Sequence, residues 1–378
     1  MRDRLSRLLL SIIAAVVALV FAGAVTSVLL FLTGHSPVTA IQQMWDYGTQ
    51  PNSIASILNN ATTYYIAAVA VAIGFRMNLF NIGVDGQYRL AALLAAAFAG
   101  SVALPTGVRQ IATIVVAMLV GAFWAGIVGV LKVTRGVSEV ISSIMLNFVA
   151  TGIIAYLLNP ARLAVSTQGS NNLTTKTIPP SGRIGGLSLV PGSDTKVYGL
   201  ILLAAAVGIG FYFLISRTRF GFDLRATGLS ATAAQASGVN VKRMVLSTML
   251  ISGAVAGLIG MPNLLGDAHQ YSLDFPAGLG FTGIAIALLG RNSPIGIIFA
   301  ALLWAFLDQS SLILDINDIP KEIVQITQGV VVLSVVVAYE VVRRIALRRQ
   351  QRSVGRALTA PPPPPPSSEL PTKEGVPA

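Results

Sequence analysis

Cysteine is absent from the 378-residue chain. That excludes a disulfide framework, an iron–sulfur cluster and a thiolate-held zinc. Histidine occurs only as His35 and His269, so a histidine-rich metal centre is excluded too. Charge is scarce: Asp, Glu, Lys and Arg together make 11% of the residues, against about 25% in a soluble globular domain. No Gly-Lys pair occurs anywhere, and a phosphate-binding P-loop needs its lysine directly after a glycine. Nucleophile-elbow and HExxH zinc patterns are missing as well. Without a catalytic constellation, a metal site or an ATP site of its own, the chain does not read as an enzyme.

Apolar residues make up 54% of it, and the mean hydropathy is +0.73. This predicts an all-α polytopic membrane protein. A helix needs about 20 mostly apolar residues to cross the hydrocarbon core. Suitable stretches lie near 8–32, 54–75, 89–104, 110–131, 138–158, 197–215, 244–262, 276–290, 295–314 and 321–342, for about ten transmembrane helices. Two of them, 89–104 and 276–290, are short, as tilted or broken segments are. The uncharged run 8–32 has 25 residues, too long for a signal-peptide core, and reads as a retained anchor.

Lysine and arginine in short loops set orientation. Placing both termini in the cytoplasm puts 20 of the 26 basic residues inside, Arg76 and Arg89 among them. The net charge of +11 then reports topology and attraction to anionic lipid, with no nucleic acid implied. Residues 1–7 form a basic cytoplasmic N-terminus, 8–342 the membrane domain, and 343–378 a basic and then Pro-rich disordered cytoplasmic tail. Inside the membrane domain, 159–196 is a long outer loop, ordered only if something packs on it.

The inner loop 216–243 is too patterned for a plain turn. Ser230 can cap a short helix of small residues over 230–237, and Gly238 can take its left-handed stop. Small side chains let a partner's groove approach the backbone, so this segment reads as a docking helix, with a solvated basic loop as the alternative. A second segment, FRMNLFNIGVDGQYR at 75–89, sets Gly83 and Gly86 among Asn78, Asn81, Asp85 and Gln87. It fits either a broken helix beside a transport pathway or an ordinary polar turn. The glycines of 278–296 suit close helix packing as well as pore lining.

FNIGVDGQ (80–87), EVISSIMLN (139–147), RATGLSATAAQASGVNV (225–241) and GFTGIAIALLGRNSPIG (280–296) together resemble the permease subunits of ABC importers for nucleosides and simple sugars. That branch belongs to the branched-chain amino acid and ribose permease family. The resemblance covers roughly 54–342 and implies an internal inverted pseudo-repeat, which is not visible as sequence identity. On the matching positions it implies that Arg225, Gly228, Ser230, Ala233, Ala234 and Gly238 belong to the loop that couples to the ATPase. Asp85 stands where a Glu is commoner. The implied partners are a cytoplasmic ABC ATPase that uses ATP and Mg, a second homologous permease giving a heterodimer, and an extracytoplasmic substrate-binding lipoprotein. The implied location is the bacterial cytoplasmic membrane.

Candidate pathway residues are Asn81, Asp85, Gln87, Asn147, Phe281, Thr282 and Asp308. Amide and hydroxyl donors beside apolar surface suit a neutral nucleoside, and a monosaccharide equally well. The form of FNIGVDGQ is closer to the nucleoside branch. For Asn147 and Asp308, bonding between helices is the competing role. A secondary transporter is the alternative class, but it needs several buried acids, and Asp308 is the one acid clearly within a span.

Overall fold

A computed structural model describes residues 20–166, 172–317, 319–320 and 322–359. The basic N-terminus, the first part of the 8–32 stretch and the proline run 361–366 lie outside these residues. The chain is a helical bundle with two small hairpins. Its elements are α1 (Val20–Leu32), α2 (Pro37–Gly48), α3 (Pro51–Phe75), α4 (Val84–Ser101), α5 (Val108–Arg135) and α6 (Glu139–Leu157). Strands β1 (Ala164–Ser166) and β2 (Leu173–Thr175) pair antiparallel, as do β3 (Gly186–Leu187) and β4 (Val197–Tyr198). There follow α7 (Ile201–Arg217), α8 (Arg219–Leu229), α9 (Ala231–Ala236), α10 (Val241–Gly257), α11 (Met261–Asn263), α12 (Leu279–Leu289), α13 (Pro294–Ser310), α14 (Leu312–Ile316) and α15 (Glu322–Thr359).

Among the described residues five helices are long and apolar enough to cross a membrane, or seven if each of two bent pairs counts as one span. Those pairs are α1 with α2, bent by 115°, and α7 with α8, bent by 70°. The other expected spans fall short for physical reasons. α12 has 11 residues, and α4 carries Asp85 and Arg89 in its first turns. α15 runs on through the basic residues that the sequence assigns to the tail.

α3 is the hub. Its apolar window is 89% buried, against 33% for α5 and 22% for α6, so α3 meets protein on all sides while the other two face outward. Around it the helices approach through small residues. Ala117, Gly121 and Ala125 of α5 meet Gly253 and Gly257 of α10, all at four-residue spacing. A Cβ built on Gly257 would sit on the carbonyl oxygen of Ala117, and one on Gly253 would strike Ala125 and the Gly121 carbonyl. Close backbone approach of this kind is how helices gain contact where lipid supplies no hydrophobic drive.

The described part of the loop after α6 is held by a segment that packs on it. Backbone amides of Thr175, Ile178 and Ile184 donate to the carbonyls of Tyr271, His269 and Leu265. That segment includes a π-helical turn, Leu264–Ala268, ended by His269 at φ +53°. The hairpin end of the bundle is thereby tied to the extension of α10, and the opposite end carries α8 and α9.

Candidate functional site

At Phe75 α3 ends, and the chain folds back into the bundle before α4 begins. The Leu79 amide donates to the Gly74 carbonyl (3.0 Å), which turns the chain sharply. Asn81 is fully buried. Its Nδ2 donates to Gln87 Oε1 (3.0 Å) and Ser252 Oγ (2.8 Å), while Gln87 Nε2 donates back to Asn81 Oδ1 (2.8 Å). The Ser252 hydroxyl donates to the Ala70 carbonyl (2.7 Å). Two amides and a hydroxyl are thus consumed by one another and tie α3, α4 and α10 together. Asn81 and Gln87 hold the break, their amides facing one another.

Asn147 spends its amide in the same way. Nδ2 donates to the Ile82 carbonyl (3.0 Å), and Oδ1 accepts from the Gly86 amide (2.9 Å), one of the amides left unpaired at a helix start. A Cβ on Gly86 would come within 2.9 Å of Asn147 and Ala150, so α6 seats directly on that glycine.

Depth follows from α12. Gly283 of α12 packs against Ala67, eight residues before the end of α3, or about 12 Å along a helix at 1.5 Å per residue. Gly280 lies against the Asp85 backbone, where a Cβ would be 2.6 Å from the amide nitrogen. From this meeting point α12 runs to the α8–α9 end, where Arg76 donates from Nε (3.0 Å) and Nη2 (2.6 Å) to the Asn292 carbonyl. α4 runs the other way, and its Gly100 reaches Lys176 in the hairpin region. Two half-helices therefore meet N-terminus to N-terminus deep in the bundle. Their positive ends are bridged by Asp85, whose Oδ1 accepts from the Gly278 amide (2.8 Å). Gly278 has φ +83°, a conformation that a side chain would strain.

Arg89, one turn further along α4, lies 3.9 Å from Asp85. It sits inside the bundle and not in the inner loop where the basic-residue count places it. Its Nη1 reaches Thr151 Oγ1 at 3.5 Å, it lies against the Tyr271 hydroxyl, and its buried Nε has no hydrogen-bond partner. Tyr88 donates to the Pro276 carbonyl (2.7 Å), and Tyr271 stacks on Phe275 with ring centres 4.7 Å apart. The spacing of Asp85 and Arg89 on one helical face was the available signal for this pair.

The remaining expected pathway residues are dispersed. Phe281 is exposed on α12, and Thr282 beside it is half-buried. Asp308 stands apart on α13 and accepts from the Tyr64 hydroxyl of α3 (2.5 Å), an inter-helix bond. Toward the hairpins, a polar cavity of about 490 Å³ is lined by Ser56, Asn59, Asn60, Tyr198, Asp267 and Gln309 among others. Burial and the neighbouring Asp267 push the Tyr198 hydroxyl up to about 12.

At the other end Ser230 Oγ accepts from the Ala233 amide (3.3 Å), and α9 spans Ala231–Ala236. Gly238 follows at φ +89°. α8, an additional helix ahead of it, was not legible in the loop. The Arg225 guanidinium donates to the Ile215 carbonyl, closing the α7–α8 bend. Gly228 packs on the backbone of Arg76 and Met77, and Asn78 Nδ2 donates to the Gly228 carbonyl (2.7 Å). Ala234 is 4% exposed and turned inward, whereas Leu229 is 89% and Phe222 65% exposed. The outward small face of α9 is Ala231, Ala233 and Ala236.

A glycine-seamed bundle with apolar spans, two half-helices meeting at mid-depth and a short helical projection at one end defines a multi-pass membrane permease. The chain belongs to the family of branched-chain amino acid transport system permease components, whose model matches residues 53–336. It is 32% identical to the guanosine ABC transporter permease NupP of Bacillus subtilis, over 90% of this chain and 96% of that protein. It is 28% identical to the nucleoside ABC transporter permease NupB of Lactococcus lactis, over 87% and 91%. A glucose ABC transporter permease of Haloferax volcanii, TsgB13, is 32% identical over 82% of this chain and 83% of its own. No solved structure matches.

Proposed function

We propose that the chain is one permease subunit of an ATP-driven ABC importer in the cytoplasmic membrane, forming half of a pathway for nucleosides. The observation that carries the reading is the similarity to NupP over nearly the full length of both chains. Similarity to TsgB13 keeps a simple sugar as the second reading. The ATPase, which uses ATP and Mg, and the lipoprotein that delivers cargo are separate chains in this proposal. Bacillus subtilis, which has NupP, and Lactococcus lactis, which has NupB, each also carry a second such permease, NupQ and NupC, 27% and 24% identical to this chain, which favours a heterodimer. About ten spans with an inverted pseudo-repeat and both termini inside complete the proposed topology.

The contacts suggest how coupling would travel. α8 touches the 76–78 turn through Gly228 and Asn78. That turn leads directly into Asn81 and Asp85, and through Arg76 it grips the far end of α12. A displacement of α8–α9 by an ATPase would thus be felt at both half-helices. Deleting the gene should abolish uptake of labelled nucleosides, and the intact chain should restore it. Loss of glucose uptake with nucleoside uptake at the parental rate would transfer the assignment to the sugar.

Sidedness has its own test, because the cysteine-free chain gives no labelling background. The exposed Asp194 serves for the hairpin side. In intact cells an impermeant maleimide should label Asp194→Cys and spare Ser230→Cys. The reverse pattern would invert the topology.

A further inference from the structure

Away from the polar cavity, α3, α7 and α13 enclose a second one of about 740 Å³. α3 forms its floor, where Tyr65 seats so closely on Gly208 of α7 that a Cβ there would strike the Tyr65 hydroxyl. α7 and α13 form its walls. Ile209 and Phe213 on one wall and Ile295 and Ile298 on the other are exposed, so the cavity is a groove that opens away from the α3 hub. Its lining is aliphatic or aromatic apart from Thr62, Tyr65 and Tyr212, and Thr62 donates its hydroxyl to the Leu58 carbonyl (2.7 Å). A nucleoside or a sugar would leave most of its hydroxyls unpaired here, at a cost for each. The groove is not a cargo site.

Its two ends differ in charge. At the α8–α9 end, Arg217 stands four residues after Phe213 on the same face of α7. Arg219 opens α8, and Arg291 lies three residues before the start of α13; all three arginines are exposed. Asp223 is the one acid in α7, α8 and α12, and the one acid of α13, Asp308, lies at the opposite end. We infer that the groove binds an anionic phospholipid, with an acyl chain lying along α7 and the phosphate held at Arg217 and its basic neighbours. An acyl chain asks for no hydrogen bond, and basic pockets between helices on the cytoplasmic side take acidic headgroups. That side is the α8–α9 end in the topology proposed above. The position bears on coupling, because α7 passes into α8 through the bend that Arg225 closes on the Ile215 carbonyl. A chain wedged between α7 and α13 would set the angle at which α8 leaves the bundle.

The test is native mass spectrometry of the complete transporter in detergent, titrated with phosphatidylglycerol or with phosphatidylcholine of the same chains. The native complex should bind phosphatidylglycerol at least about fivefold more tightly, the factor that one basic contact near a membrane surface provides. Arg217→Gln should weaken phosphatidylglycerol by about fivefold and leave phosphatidylcholine unchanged. Ala205→Trp and Ile298→Trp, on facing walls, should each remove one bound lipid of either kind at a native unfolding temperature. Equal affinity of the native complex for the two lipids would overturn the inference. So would lipid binding left unchanged by Arg217→Gln, or left unchanged by both tryptophan variants. If neither tryptophan variant folds, Arg217→Gln decides alone. Glycerol 3-phosphate in large excess should not compete; competition would make this a free-phosphate site and remove the acyl chain. Loss of the second permease from the tryptophan variants, with lipid binding intact, would assign the groove to that subunit instead. Binding in detergent is read without cargo and without sidedness, so a failure of nucleoside import or an inverted topology leaves this comparison standing.

Discussion

Gly257→Leu should unseat α10 from α5 and lower the unfolding temperature of the purified chain by roughly 4–6 °C. A Cβ at that position would coincide with the Ala117 carbonyl oxygen and approach the Met118 backbone. The obstacle is backbone, so no rotamer change relieves it. Overpacking by ordinary side chains costs about 1–3 kcal/mol, and a clash that forces two helix axes apart belongs at or above the top of that range. The same displacement strips contact from the seam's other small residues, Gly121, Ala125 and Gly253, which interlock with Gly257. Gly152 provides the control. Nothing lies within 4 Å of its built Cβ, so Gly152→Leu should leave the transition unchanged. Thermal unfolding followed by tryptophan fluorescence in detergent measures both, and equal transitions for the two variants would show that the seam is not a stability determinant.

That seam shows which parts of the fold could be read from sequence. Apolar runs placed α3, α5, α6, α10 and α13 because length and hydropathy are local properties, and the short 276–290 stretch is short because α12 begins inside the bundle. The capped helix after Ser230 was legible for the same reason: a serine, a run of small helix formers and a glycine stop all act within one or two turns. The partners of the polar residues were not legible, because they come from elsewhere in the chain. Asn81 reaches Ser252, Asn147 reaches Ile82, and Tyr64 reaches Asp308. Residue type marked these side chains as unusual inside a membrane protein. Only the fold distinguishes a side chain that closes a helix break from one left open, and it shows the Asn81 and Gln87 amides paired with each other across the break. Arg89 was missed for a related reason. Counting basic residues assumes that each belongs to a loop, and a helix that starts at mid-depth carries its first-turn charges inward.

The α8–α9 projection calls for an anchor that small residues alone do not provide. Leu229 and Phe222 stand seven residues apart, on one face of α8, and are the projection's most exposed large apolar side chains, at 89% and 65%. Burying a leucine or phenylalanine fully is worth about 1.5–3 kcal/mol, so losing both from an interface would weaken it by about two to four powers of ten. Leu229→Asp combined with Phe222→Asp should therefore abolish co-purification of the ATPase and reduce cargo-stimulated ATP hydrolysis at least tenfold. The bundle itself should be untouched, because neither side chain belongs to the buried core, and size-exclusion behaviour and unfolding temperature should match the native chain. Ala233→Trp, on the outward face of α9, should act in the same direction by holding the surfaces apart. A bulky residue at the inward Ala234 would report the seating of α9 and is the wrong probe for docking. Full stimulated ATPase activity in the double variant, with the ATPase still bound, would place the docking surface elsewhere on the chain.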